Sequence, residues 1–174
     1  DLDDTLWKVG PVITRAELIL ADWLEKEVPG YAYEPSKLKP VGEILLNADP
    51  TLSYKLTAFR QKVIETSLLS YLDSRGAASH AKDAMEIFLT ARNEVKFFEG
   101  ALDTLRKIAQ TFQLGAITNG NADIHRLGLN DCFSFAFSAE QVGAPKPAAD
   151  LFHAALSHTG CVPAQMVYVG DDPV

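Results

Sequence analysis

From about residue 95 onward, short apolar runs alternate with helical stretches, and no other feature restricts the fold as much. "GALDTLRKIAQTF" reads as a helix leading into the short strand "QLGAIT". A helix around "ADIHRLGL" leads to a second strand, "FSFAFS". "PAADLFHAALSHTG" reads as a helix with a glycine stop, and "MVYVG" as a third strand. Strands separated by helices at this spacing build βαβ units, and βαβ units imply a parallel sheet.

The preceding region has a different texture. "PVITRAELILADWLEKE" places Val12, Ile13, Ala16, Leu20, Trp23 and Leu24 on one helical stripe. Pro11 suits a first turn, and "VPGY" ends the run. A shorter helix is expected around Val41 to Asn47. A long one follows through "PTLSYKLTAFRQKVIETSLLSYLDSRG", with Gly76 as its stop, and another starts from Ser79 as N-cap. The expected architecture is α/β, a Rossmann-like parallel-sheet core carrying an inserted α-helical cap. Residues 1–10 and 95–174 form the core and residues 11–94 the cap. An insert at that place is expected above one edge of the sheet, as a lid.

Composition narrows the function classes. Hydrophobic residues make up 47% of the 174 and charged residues 22%, enough apolar material for a core. The net charge is −7 and the basic residues are scattered, so a nucleic-acid-binding face is not expected. No run approaches the roughly 18 apolar residues of a membrane span. Cys132 and Cys161 form no CxxC pattern and read as reduced thiols of a cytoplasmic protein. His80, His125, His153 and His158 make neither an i, i+4 pair nor an HExxH pattern, and read as structural or surface residues.

In open parallel sheets, ligands bind outside the carboxyl ends of the strands. There "LGAIT" ends in Thr118-Asn119-Gly120, and "MVYVG" ends in Gly170-Asp171-Asp172. "GAPKP" sets Lys146 between two prolines just before a helix. The chain opens on "DLDDTLW", and Asp1 and Asp3 also stand at a strand end if an apolar strand precedes them. Two residues apart on extended chain, they point to one side. Carboxylates, a lysine, a threonine and an asparagine then converge.

"DLDDTLW", "ITNGN", "GAPKP" and "VYVGDDP", in that order and around a helical insert, resemble the four motifs of the haloacid dehalogenase-like hydrolase superfamily. The chain is most similar to its first subfamily, with an α-helical cap. Within that subfamily it resembles a bacterial group that dephosphorylates flavin mononucleotide and the riboflavin precursor 5-amino-6-(5-phosphoribitylamino)uracil. The resemblance implies a phosphatase acting on a small-molecule phosphate monoester, as monomer or homodimer. It makes Asp1 the nucleophile of an aspartyl-phosphate mechanism and Asp3 the general acid and then base. Asp4 falls at a variable position, and Thr5 is expected to fix the turn.

Carboxylates and a phosphate share a pocket only with positive charge present. Mg²⁺ is the implied cofactor, on Asp1, the backbone carbonyl of Asp3, and Asp171. Asp172 either ligates it or stands outside the first ring of ligands. Lys146 is implied to neutralise Asp1 and the phosphate. Thr118 is expected to donate its hydroxyl to phosphate, and Asn119 and Gly120 their amides from the start of the next helix. Trp7 either stacks on a planar leaving group or packs at a hinge, and Arg60 resembles a cap arginine that meets a substrate anion.

Three other readings compete. A haloacid dehalogenase uses an Asp nucleophile without metal and typically lacks the second Asp, so Asp3 and Asp171 weigh against it. A phosphonate hydrolase or sugar-phosphate mutase keeps most of these motifs. A non-catalytic binding module sits poorly with intact Asp1, Asp3, Thr118, Lys146 and Asp171. The family pattern begins before Asp1 and continues past Val174, so the chain reads as a fragment of a longer protein.

Overall fold

The structure, a computed structural model, describes residues 1–172. The chain divides into two compact units, Ile13–Arg92 and Asp1–Val12 with Asn93–Val174. The fold is α/β, with a parallel pair of strands in one unit and a helical insert as the other.

The helical unit is built from α1 (Val9–Glu27), α2 (Lys39–Ala48), α3 (Leu56–Leu68) and α4 (Ser74–Arg92). Its core takes Ala16, Leu20 and Leu24 from the α1 stripe, Ile64 and Leu68 from α3, and Met85 and Phe88 from α4. Ala77, Ala81, Ala84 and Ala91 of α4 lie in the same core. Each fully buried leucine contributes about 1.5–3 kcal/mol through the apolar surface it removes from water.

Two helix boundaries differ from the sequence expectation. The long helix expected from Pro50 to Gly76 is a 3₁₀ turn (Pro50–Ser53) followed by α3, and α4 starts at Ser74. Gly76 is therefore a first-turn residue, and Ser79 lies inside α4. The cause is Asp73, whose carboxylate accepts the Gly76 amide at 2.7 Å as an N-cap does.

In the α/β unit, β1 (Gly115–Thr118) pairs in parallel with β2 (Phe135–Ser138), Thr118 opposite Ser138. Gly115 is required by close approach: a Cβ there would run into the Phe135 ring. The remaining helices are α5 (Ala101–Ala109), α6 (Ala139–Val142) and α7 (Asp150–Thr159). Ser138 and Gln141 close a capping box on α6, a short helix the sequence reading missed. Leu2, Leu6, Trp7, Val12, Ala116, Ile124, Leu129 and Phe133 form this unit's core.

Two expected elements are absent here. The helix around "ADIHRLGL" is a single turn at residues 124–128. Gly128, at φ 68°, takes the left-handed conformation and closes it. Its amide bonds to His125 and that of Leu129 to Ile124, the two bonds of a Schellman stop. "MVYVG" runs irregularly rather than as a strand. Val167 and Val169 are exposed, and no described strand lies alongside to complete a ladder. Among the described residues, no helix is long and apolar enough to cross a membrane.

Candidate active site

The end of β1 and the loop before α7 bring Lys146 against Asp1 and Asn119. Lys146 donates from Nζ to Asp1 Oδ2 at 2.5 Å and to the Ile117 carbonyl at 3.4 Å. The two side chains keep only 11% and 14% of their surface exposed, so solvent screens the pair weakly. The backbone amide of Leu2 donates to Asp1 Oδ1 at 2.8 Å. Both oxygens of the Asp1 carboxylate are thus held in place.

Tyr168 completes this cluster, and the sequence reading did not single it out. Its hydroxyl accepts from Lys146 Nζ at 2.7 Å and donates to Asp1 Oδ2 at 3.3 Å. The Lys146 ammonium also lies 5.0 Å from the Tyr168 ring centroid. Phe152 meets that ring edge to face. The available signal was a lone tyrosine in an apolar run just before Gly170-Asp171.

Asn119 acts through its side chain. Its amide nitrogen donates to the Lys146 carbonyl at 3.0 Å, and its oxygen accepts the Lys146 amide at 2.7 Å. The lysine peptide is gripped on both sides. Thr118 is buried, and its hydroxyl accepts the Gly120 amide at 3.0 Å. The Gly120 amide is therefore engaged internally, and no helix starts there. The expected anion seat at a helix N-terminus has no helix to supply it.

Asp3 receives the indole N–H of Trp7 at 2.9 Å. Trp7 is fully buried, which rules out stacking on a leaving group and leaves the packing reading. Asp4, at φ 57°, accepts the Val9 amide at 3.0 Å and so holds the start of α1. Thr5 donates to Asp171 Oδ1 at 3.4 Å, a long bond that ties the two motifs together. Asp172 is exposed. Arg60 belongs to the helical unit, where it pairs with Glu17, donates to the Tyr33 hydroxyl at 3.2 Å and covers the Phe88 ring.

Among the described residues, no group of three or more His, Cys, Asp or Glu side chains gathers as a metal cage. Mg²⁺ does not need one, because one or two carboxylates with a carbonyl and waters suffice. The expected ligands, Asp1, the Asp3 carbonyl and Asp171, would offer oxygen atoms alone, which suits Mg²⁺.

Comparison with known proteins bears on the whole chain. The chain is 31% identical to the 5-amino-6-(5-phospho-D-ribitylamino)uracil phosphatase YigB of Escherichia coli (strain K12), across 99% of its own length and 73% of that protein's. It is 34% identical to the haloacid dehalogenase-like hydrolase domain-containing protein 3 of Xenopus laevis, over 64% of this chain and 48% of that one. Among solved structures, a 2-haloacid dehalogenase from Pseudomonas syringae pv. Tomato DC3000 superimposes with a TM-score of 0.87 at 40% identity, covering 92% of this chain and 70% of the other. The magnesium-bound hydrolase YfnB of Bacillus subtilis, at 20% identity and a TM-score of 0.53, shares the fold. The model of the haloacid dehalogenase-like hydrolases matches residues 46–174, and with this the chain belongs to that family.

Proposed function

We propose that this hydrolase is a Mg²⁺-dependent phosphatase of small-molecule phosphate monoesters, with flavin mononucleotide and riboflavin-pathway phosphates as the first substrates to try. The observation that carries the reading is the nearly buried pair of Lys146 and Asp1. A carboxylate poised against a lysine is held ionised, as a nucleophile must be, and the lysine can shift part of its charge onto an incoming phosphoryl group. The YigB relative, named a phosphatase, supports the same reading.

In the proposed reaction Asp1 attacks phosphorus, the P–O bond to the leaving group breaks, and Asp3 passes its proton to the departing alkoxide. Asp3 then takes a proton from water, the water oxygen attacks the aspartyl-phosphate, and Asp1 and inorganic phosphate are released. Lys146 offsets the negative charge gathered around Asp1 throughout. Mg²⁺, bound by Asp1, the Asp3 carbonyl and Asp171, would supply the further positive charge that phosphoryl transfer requires. The protein is expected to act in the cytoplasm as a monomer or homodimer, on a small molecule.

A second reading, 2-haloacid dehalogenation, has the Pseudomonas syringae neighbour in its favour. Asp3 weighs against it, since a dehalogenase with an Asp nucleophile has no leaving alkoxide to protonate. One experiment separates them: phosphate release from a phosphate-ester panel and halide release from 2-haloacids, each with Mg²⁺ and with chelator. Phosphate release that needs Mg²⁺ and falls about a thousandfold or more in Asp1→Asn is expected. Equal phosphatase rates in the two proteins, or halide release without metal, overturn the proposal.

A further inference from the structure

The Trp7 indole is held on several sides in the α/β unit. It has no exposed surface and lies in the core with Leu2, Leu6, Val12 and Ala116. Phe97 meets it edge to face at 5.6 Å. Its backbone bridges to Asp3 on one side and to Phe97 on the other. From this position Nε1 reaches Asp3 Oδ1 at 2.9 Å.

An indole N–H differs from most donors. It cannot accept, it has no tautomer, and it cannot rotate away as a hydroxyl can. A buried N–H without a partner is costly, so the ring and the carboxylate constrain each other. A carboxylate anchored through one oxygen has its plane set, and with it the direction in which the other oxygen presents. General acid catalysis needs that direction fixed to within hydrogen-bond reach of the leaving oxygen.

We propose that Trp7 is a positioning residue for Asp3, orienting its carboxylate for proton transfer to the leaving group. This rests on the reading of Asp3 as the general acid, and the test separates the two. Trp7→Phe keeps an aromatic ring in the core and deletes the donor. The measurement is kcat/KM, which reports steps through leaving-group departure, for an alkyl phosphate and for p-nitrophenyl phosphate. An alkoxide needs a proton to leave, whereas p-nitrophenolate leaves without one.

Asp3→Asn is the reference and is expected to cut the alkyl substrate at least a hundredfold more than the aryl one. Trp7→Phe is expected to show the same bias, with about a tenfold or greater extra loss on the alkyl substrate. Combined with Asp3→Asn, it should add no further bias. Equal losses on both substrates from Trp7→Phe, or a bias that adds in the double variant, overturn the role of Trp7 while leaving Asp3 as the acid. No bias in Asp3→Asn overturns both.

Should Trp7→Phe fail to fold, the unaltered protein still reports. Its Trp7 indole N–H proton resonance, distinguished from that of Trp23 by Trp23→Phe, is expected downfield and to shift when Asp3 becomes Asn. A resonance that does not respond to Asp3→Asn overturns the proposal.

Discussion

Asn119 grips the Lys146 peptide on both faces, and that grip sets where the ammonium can reach. The donor and acceptor of one side-chain amide satisfy the carbonyl and N–H of one residue at 3.0 and 2.7 Å. Alanine removes both bonds at once and lets the loop relax. Asn119→Ala is expected to lower kcat/KM about tenfold. Lys146→Ala, which removes the charge itself, should cost on the order of 10²–10³. Because Asn119 is argued to act through the lysine, the double variant should be no worse than Lys146→Ala alone. Steady-state kinetics on the four proteins, with melting temperatures to confirm folding, check this. Additive losses would place the Asn119 side chain in direct contact with substrate.

At the level of elements, β1 depends on having no side chain at its first position. The Phe135 ring sits where a Gly115 Cβ would go, and Phe135 is itself packed against Phe137 and His158. Gly115→Ala is expected to destabilise the protein by about 1–3 kcal/mol, read from chemical denaturation, because the ring must move against those neighbours. The strand was legible because an apolar run between two helical patterns leaves few other choices. "MVYVG" has the same local pattern but forms no strand, since a strand is completed by a partner's hydrogen bonds and not by its own residues. The turn at residues 124–128 was misread as a helix because the helical stripe outweighed Gly128, whose positive φ ends the run. Likewise Gly76 reads locally as a stop, and only the Asp73 carboxylate turns it into a start. In the site, the pairing of Asp1 with Lys146 was legible through the motifs' resemblance to the family, and the two side chains do meet. The sequence pointed to Trp7 only as a stacking or hinge residue and not at all to Tyr168, because the bonds of the indole to Asp3 and of the phenol to Asp1 and Lys146 are made only in the folded chain.

For the molecule as a whole, the two units have separate cores, and their chemistry predicts different sensitivity to alkali. Tyr33 lies in the helical core, and burial pushes its phenol well above the ordinary value of 10.0; Arg60 opposes the shift and Glu17 reinforces it. Burial raises Tyr31 as well, against the pull of its hydrogen bond to Ser67. A phenol with a raised folded value binds its proton more tightly folded than unfolded. Its contribution is therefore complete below about pH 10 and is lost as pH rises from there through the folded value. Each such phenol steepens the decline by at most about 1.4 kcal/mol per pH unit. Above pH 10, amide exchange in Ile13–Arg92 should accelerate beyond its intrinsic pH dependence before that of β1 and β2 does. Tyrosinate absorbance should show two of the five tyrosines ionising late, together with unfolding. Tyr33→Phe removes one titrating group and should flatten the alkaline slope, even though it also forfeits the Arg60 bond and lowers stability at neutral pH. An unchanged slope in Tyr33→Phe would show that another group governs the alkaline limit.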